Sequence, residues 1–186
     1  MARIILITGG SRSGKSMYAQ CIAESIAGER TYIATCPIVD DEMAERIRKH
    51  RETRRTRNWQ TIEETTDLSA ALAGAGEKKV ILVDCLTLWV NNLMHERELE
   101  KKEMEEEEIV ARCGEILDAC HDLSGTVIFV TNEVGMGIVP DNAMSRRYRD
   151  LAGRCNQVMA RSADTVVLMI SGLPLLIKGA VPYEVA

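Results

Sequence analysis

"RIILITGGSRSGKS", Arg3–Ser16, decides the fold. Its first half is an unbroken aliphatic run, as expected of a strand buried on both faces. Its second half, Gly9–Ser16, matches G-x-x-x-x-G-K-[ST] and leads into a helical pattern, which is the strand–loop–helix context this motif requires. Gly9 and Gly14 let the backbone turn so that successive N–H groups across Gly10, Ser11, Arg12 and Ser13 converge on phosphate oxygens. The helix that begins there adds the positive end of its dipole. Lys15 is placed to neutralise the β- and γ-phosphates, and the Ser16 hydroxyl to join a Mg²⁺ coordination sphere.

Similar aliphatic runs recur at 31–35 ("TYIAT"), 80–84 ("VILVD"), 126–131 ("TVIFVT") and 165–170 ("TVVLMI"). Helical patterns lie between them at 15–27, 41–55, 67–73, 86–122 and 142–162. Buried strands alternating with helices predict an α/β fold: a mostly parallel sheet with right-handed crossovers and helices on both faces, in one domain over 1–186. "LPLLIKG" after the last run reads as an edge strand, since Pro174 cannot donate to a central ladder. The charged run "HERELEKKEMEEEEIV" reads as the solvated first half of one long helix over 86–122. Asp84 closes "VILVD" as a Walker-B acid does, within reach of Mg²⁺; an ordinary helix-capping acid is the plain alternative. Ligands of open α/β sheets bind at the carboxyl ends of the strands, which also draws in Thr35 and the Asn132–Glu133 pair.

Composition narrows the function classes. A net charge of −5 argues against a nucleic-acid binder, which usually carries a basic footprint. The six cysteines are scattered without a C-x-x-C pair and mostly inside apolar segments, so they read as reduced core thiols rather than metal ligands or disulfides. His95 and His121 show no ligand spacing. No apolar stretch reaches membrane-spanning length, and no signal-peptide pattern opens the sequence, which predicts a cytoplasmic protein.

"DDEMAERIRKHRETRR", Asp40–Arg55, surrounds His50 with arginines. On a helix, Met43, Ile47, His50 and Arg54 share a face. Arg46, Arg48, Lys49, Arg51, Arg54, Arg55 and Arg57 meet only Glu45 and Glu52 nearby, a cation density suited to a polyphosphate or a departing pyrophosphate. Those charges also keep the imidazole neutral and nucleophilic. The residues alone leave two readings of His50 open: a functional histidine beside phosphate, or a histidine ending a packing face.

Several stretches together resemble the bifunctional adenosylcobinamide kinase/adenosylcobinamide-phosphate guanylyltransferases of cobalamin nucleotide-loop assembly. They are "ITGGSRSGKS", "YIAT", "DDEMAERIRKHRETR", W-x-T-I-E-E at 59–64, "LVDCLTLWVNN", "VTNEVGMGIVP" and "RRYRDLAGRCNQVMA", spread from about Ile4 to Lys178. The resemblance implies a RecA-like P-loop fold, a homotrimer, and ATP, GTP, adenosylcobinamide and its phosphate as ligands. It implies phosphorylation of the aminopropanol hydroxyl, then transfer of GMP from GTP carried covalently on a histidine, the position His50 occupies. Nucleotide contacts implied in the same way fall on Gly9–Ser16, Ala34, Thr35, Cys36, Arg51, Glu52, Thr53, Arg54, Glu63 and Asp84. The competing readings are a monofunctional P-loop small-molecule kinase with a structural His50 and a RecA-like ATPase that binds nucleic acid through 46–57. The second is disfavoured by net acidity and by the lack of aromatics in that segment.

Overall fold

A computed structural model describes residues 1–37, 45, 48, 52, 54, 57–76 and 78–180. His50, Arg51, Thr53 and the tail 181–186 lie outside the described residues, as does most of 38–56. Among the described residues, seven strands form one sheet: β1 (Arg3–Gly9), β2 (Arg30–Ala34), β3 (Trp59–Glu63), β4 (Val80–Asp84), β5 (Thr126–Val130), β6 (Thr165–Ile170) and β7 (Leu173–Lys178), ordered β3-β2-β4-β5-β1-β6-β7. All pairs are parallel except β6–β7. The helices whose bounds are described are α1 (Lys15–Ser25), α2 (Leu68–Gly74), α3 (Leu86–Leu99), α4 (Glu106–Asp122) and α5 (Ala143–Ser162), with a 3₁₀ turn at Val134–Met136; residues 45, 48, 52 and 54 are also helical.

The aliphatic strands are continuous because each residue pair feeds two cores. Ile4 and Leu6 join Ile81, Val83, Val127 and Phe129 beneath α2–α5. Ile5 and Ile7 join Leu82, Ile128 and Val130 on the opposite face, against Ala19, Ile22 and Ala23 of α1. Period-two alternation thus fills both layers, so polar residues are driven to the strand ends.

Two expectations change. First, 86–122 is two helices. α3 ends in a Schellman motif, with Lys101 N–H on Glu98 O (2.9 Å) and Lys102 N–H on Arg97 O (2.9 Å), and Lys101 left-handed at φ 57°. Glycine usually marks that position, and here lysine fills it. Met104 then drops into the core, 2 % exposed, and Arg147 holds its carbonyl at 2.8–2.9 Å. The charged run therefore spans a helix end, a buried methionine and a new helix. Second, 59–63 is a strand, pairing with β2 at the sheet edge. Its apolar residues, Trp59 and Ile62, serve opposite faces, one each, leaving no alternation to read.

The "LPLLIKG" strand is an edge strand as expected, exposed along its whole length. Cys85, Cys113, Cys120 and Cys155 are buried free thiols, but Cys36 is half-buried and Cys21 exposed. Burial pushes the Cys120 thiol up to about 12. Among the described residues no His/Cys/Asp/Glu cluster is arranged to hold a metal ion. No helix there is long and apolar enough to cross a membrane.

Candidate active site

The carboxyl ends of β1, β4 and β2 open onto a cleft of about 690 Å³ lined by Arg12–Met17, Gln20, Tyr32, Ala34, Cys36, Arg54, Glu63, Asp84 and Leu88. The phosphate loop is its floor. Gly14 caps α1 with φ 91°, a left-handed conformation that costs a side-chain-bearing residue energy. Gly9 is packed from below: a Cβ there would sit 2.6 Å from the Met169 carbonyl oxygen. The β6–β7 turn braces the loop from the side through Gly172 N–H on Ser13 O (3.0 Å). Lys15 folds back so that Nζ donates to Gly10 O at 3.1 Å. Partial burial lowers its pKa, against the pull of the Asp84 carboxylate and Cys85. An ammonium partly stripped of solvent is poised to receive an anion.

Asp84 ends β4, and the Tyr32 hydroxyl donates to its Oδ2 at 2.9 Å. Burial first, then the Asp84 charge, raises the Tyr32 pKa well above the ordinary value, so the phenol stays a donor. The Arg54 guanidinium lies 3.8 Å above the Tyr32 ring centroid, and Trp59 meets the ring edge-on at 6.1 Å. A desolvated cation–π contact of this kind is worth about 2 kcal/mol. Tyr32 was not among the residues singled out in the sequence; only its position two before the strand end "AT" hints at it.

The remaining anticipated residues separate. Thr35 does not face the cleft: it is fully buried, donating to Cys85 O (2.8 Å) and accepting from Cys85 N–H (2.7 Å), so it pins the end of β4. Ala34 and Cys36 on either side line the cleft, as does exposed Glu63 at the end of β3. Gly9, Gly10 and Ser11 complete the loop without lining the cleft. Of the basic segment, Arg48 is held by Glu45 (2.7 Å) and Glu52 (2.6 Å) on its own helix, and Arg57 by Glu24 (3.4 Å). Arg54 alone of the described basic residues in 45–57 lines the cleft. His95 and His121 are exposed on the surface, His95 beside Glu98 at 3.8 Å.

Past β5, Thr131, Asn132 and Glu133 form a polar knot next to the loop, outside the lining of the nucleotide cleft. Glu133 Oε1 accepts from the Thr8 hydroxyl (2.7 Å) and from Asn156 Nδ2 (3.2 Å). Asn156 also accepts from the Thr131 hydroxyl (2.7 Å) and donates to Asn132 O (3.0 Å). Asn132 Nδ2 reaches the Thr87 hydroxyl at 2.7 Å. The face of α5 that carries Asn156 therefore serves the strand ends. A second hollow, about 700 Å³ between α3 and α5 with Met94, His95, Met104, Met144 and Tyr148, lacks any such convergence on a phosphate loop.

A parallel sheet with a phosphate loop after β1 and an acid at the end of β4 defines a P-loop nucleotide-binding protein. The same fold occurs in an ATPase from the type III secretion system of pathogenic bacteria, whose structure matches with a TM-score of 0.53 at 12 % identity over 89 % of this chain and 50 % of that one. The family model described as cobinamide kinase / cobinamide phosphate guanyltransferase matches residues 5–177, and the chain belongs to this family. It is 40 % identical to the bifunctional adenosylcobalamin biosynthesis protein CobU of Escherichia coli, across 94 % of this chain and 99 % of that protein. The CobP protein of Pseudomonas aeruginosa is 41 % identical across 94 % and 96 %, and CobU of Salmonella typhimurium 41 % across 94 % and 99 %. The chain is accordingly an enzyme with kinase and guanylyltransferase character.

Proposed function

We propose that the protein phosphorylates the aminopropanol hydroxyl of adenosylcobinamide from a nucleoside triphosphate, then transfers GMP from GTP to that phosphate through a covalent intermediate on His50. The observation that carries this is the convergence of Lys15, Asp84 and Arg54 on one cleft. The phosphate loop serves the triphosphate, and Arg54, four residues after His50 in sequence, brings a cation of the basic segment to the same place. In the second reaction an imidazole nitrogen attacks the α-phosphorus and pyrophosphate leaves, its charge taken up by lysine and arginine. The new phosphate of the acceptor then attacks the phosphorus and frees the histidine, giving adenosylcobinamide-GDP.

The donor set suits Mg²⁺. Ser16 supplies a hydroxyl and Asp84 the carboxylate oxygen Oδ1 not held by Tyr32, both hard oxygen donors. An ion held there would offset phosphate charge; Tyr32 keeps Asp84 oriented for it. Assembly as a homotrimer and a cytoplasmic location belong to the same reading. Exposed Leu173, Leu175, Leu176 and Ile177 on β7 support the first, and the buried free thiols the second.

GTP labelled at the α-phosphate, without corrinoid, should leave an acid-labile, alkali-stable adduct on the protein and release pyrophosphate; γ-labelled GTP should not. His50→Asn keeps a polar side chain but no ring nucleophile, so adduct and guanylyl transfer should vanish while the kinase reaction persists. A stably folded His50→Asn protein that still forms the adduct overturns the nucleophile. Equal loss of both activities with lost stability favours a structural histidine, and a wild-type protein with the kinase reaction but no guanylyl transfer favours the monofunctional kinase.

A further inference from the structure

A phosphoryl transfer to an alcohol needs a group that orients the hydroxyl and takes its proton. β1 carries the phosphate loop, and only β5 and β6 flank it. β6 runs out into Ser171 and Gly172, with no ionisable side chain. β5 runs out into Thr131, Asn132 and Glu133, and its ladder with β1 continues past the strand ends. Thr131 N–H donates to Ile7 O (3.0 Å) and Glu133 N–H to Gly9 O (3.2 Å), which sets Glu133 level with the first glycine of the loop. Asp84 stands one strand further out, with Oδ2 already held by Tyr32 and Oδ1 assigned above to the metal.

The Glu133 side chain is fixed and incompletely used. Thr8 and Asn156 both donate to Oε1, while Oε2 has no hydrogen bond or ion pair among the described residues. Neither donor is a cation, so no ion pair there neutralises the carboxylate. A glutamine would accept the same two bonds; the negative charge is surplus to holding the fold.

We propose that Glu133 is the general base of the kinase step, with Oε2 receiving the proton of the acceptor alcohol. As that O–H bond breaks, the alcohol oxygen bonds to the γ-phosphorus, and the bridging P–O bond to the β-phosphate breaks. Its electron pair leaves with the nucleoside diphosphate, and the proton passes from Oε2 to water afterwards. Thr8 and Asn156 are positioning residues that hold the carboxylate beside the loop. This rests on the kinase reading above. Guanylyl transfer does not need the base, because its acceptor is a phosphate that is already an anion.

The test is Glu133→Gln, measured with adenosylcobinamide and nucleoside triphosphate for the kinase step, and with phosphorylated adenosylcobinamide and GTP for guanylyl transfer. The kinase rate should fall about 10²–10⁴-fold, guanylyl transfer should stay within about threefold, and the thermal midpoint should not move, since the amide retains both hydrogen bonds. Glu133→Asp, which keeps a carboxylate at shorter reach, should recover part of the kinase rate. A Glu133→Gln kinase rate near wild type overturns the assignment, and so does an equal fall in both activities. A wild-type protein that never phosphorylates adenosylcobinamide overturns the kinase reading itself, a result separable from any behaviour of the variant.

Discussion

On the β4 side of the phosphate loop, Asp84 is held by one phenol from β2, whose ring is covered by Arg54 and met edge-on by Trp59 in a largely dry setting. On the β5 side, Glu133 is held by a hydroxyl from β1 and an amide from α5, in a chain of neutral hydrogen bonds. Asp84 ends β4 and Glu133 lies three residues past the end of β5, both at the carboxyl ends of the parallel strands, yet their surroundings fit different tasks. The aromatic side offers cations and a rigid, desolvated wall, which suits the charged donor nucleotide and its metal. The polar side leaves a carboxylate oxygen open, which suits a neutral alcohol. Adjacent strand ends in one sheet can serve separate chemistry through the groups that pack around them.

The largest expected effect belongs to neither side. On the function proposed above, Lys15 underlies the triphosphate in both reactions, and Lys15→Ala should lower both rates by about 10²–10³ or more. Retention of either rate would mean that the two reactions do not share the loop, and the contrast between its flanks would lose its centre.

Tyr32→Phe sharpens the β4 side. It keeps the ring under Arg54 and deletes the hydroxyl on Asp84, a bond to a charged group worth about 1.5–3 kcal/mol. The Mg²⁺ concentration for half-maximal activity should rise about tenfold in both reactions. The alkaline limb of stability is a second readout. The folded pKa of Tyr32 lies above its unfolded value near ~10. Its contribution is therefore full below that pH and is lost as pH rises from the unfolded value through the folded one. The phenylalanine variant should lack that component of alkaline unfolding, and an unchanged Mg²⁺ titration would remove Tyr32 from its positioning role.

Thr8→Val makes the matching cut on the β5 side and should do least. Glu133 retains Asn156, so the kinase rate should drop by only about three- to tenfold, in line with one lost bond of about 1 kcal/mol. Guanylyl transfer should be unaffected. A loss shared equally by both reactions would show that Thr8 supports the loop rather than Glu133.

Much of this was legible in the sequence for a simple reason: the signals were local. Aliphatic runs bounded by polar residues predicted β1, β2, β4, β5 and β6. The phosphate loop needs only eight consecutive residues to declare itself, and Pro174 marked β7 as an edge. Where the signal was not local, reading by pattern went astray. β3 divides its two apolar side chains between two cores, and α3 ends on a left-handed lysine where glycine is the usual sign. Thr35 sits between two cleft-lining residues yet turns inward, because the backbone of Cys85, fifty residues away, offers it both a donor and an acceptor.

By itself, then, the amino-acid sequence determined a parallel α/β sheet, a phosphate loop after its first strand and an acid after "VILV". These depend on periodicity and on backbone freedom at glycine, which are properties of neighbouring residues. Only the tertiary structure decided that Tyr32 holds Asp84, that Arg54 reaches the cleft while Arg48 and Arg57 are spent on nearby carboxylates, and that Asn156 ties α5 to Glu133. Each of those contacts joins residues whose separation in the chain carries no pattern. The sheet order sets strands from distant parts of the chain side by side, and the polar groups at their ends then pair with whatever donors and acceptors that order brings within reach.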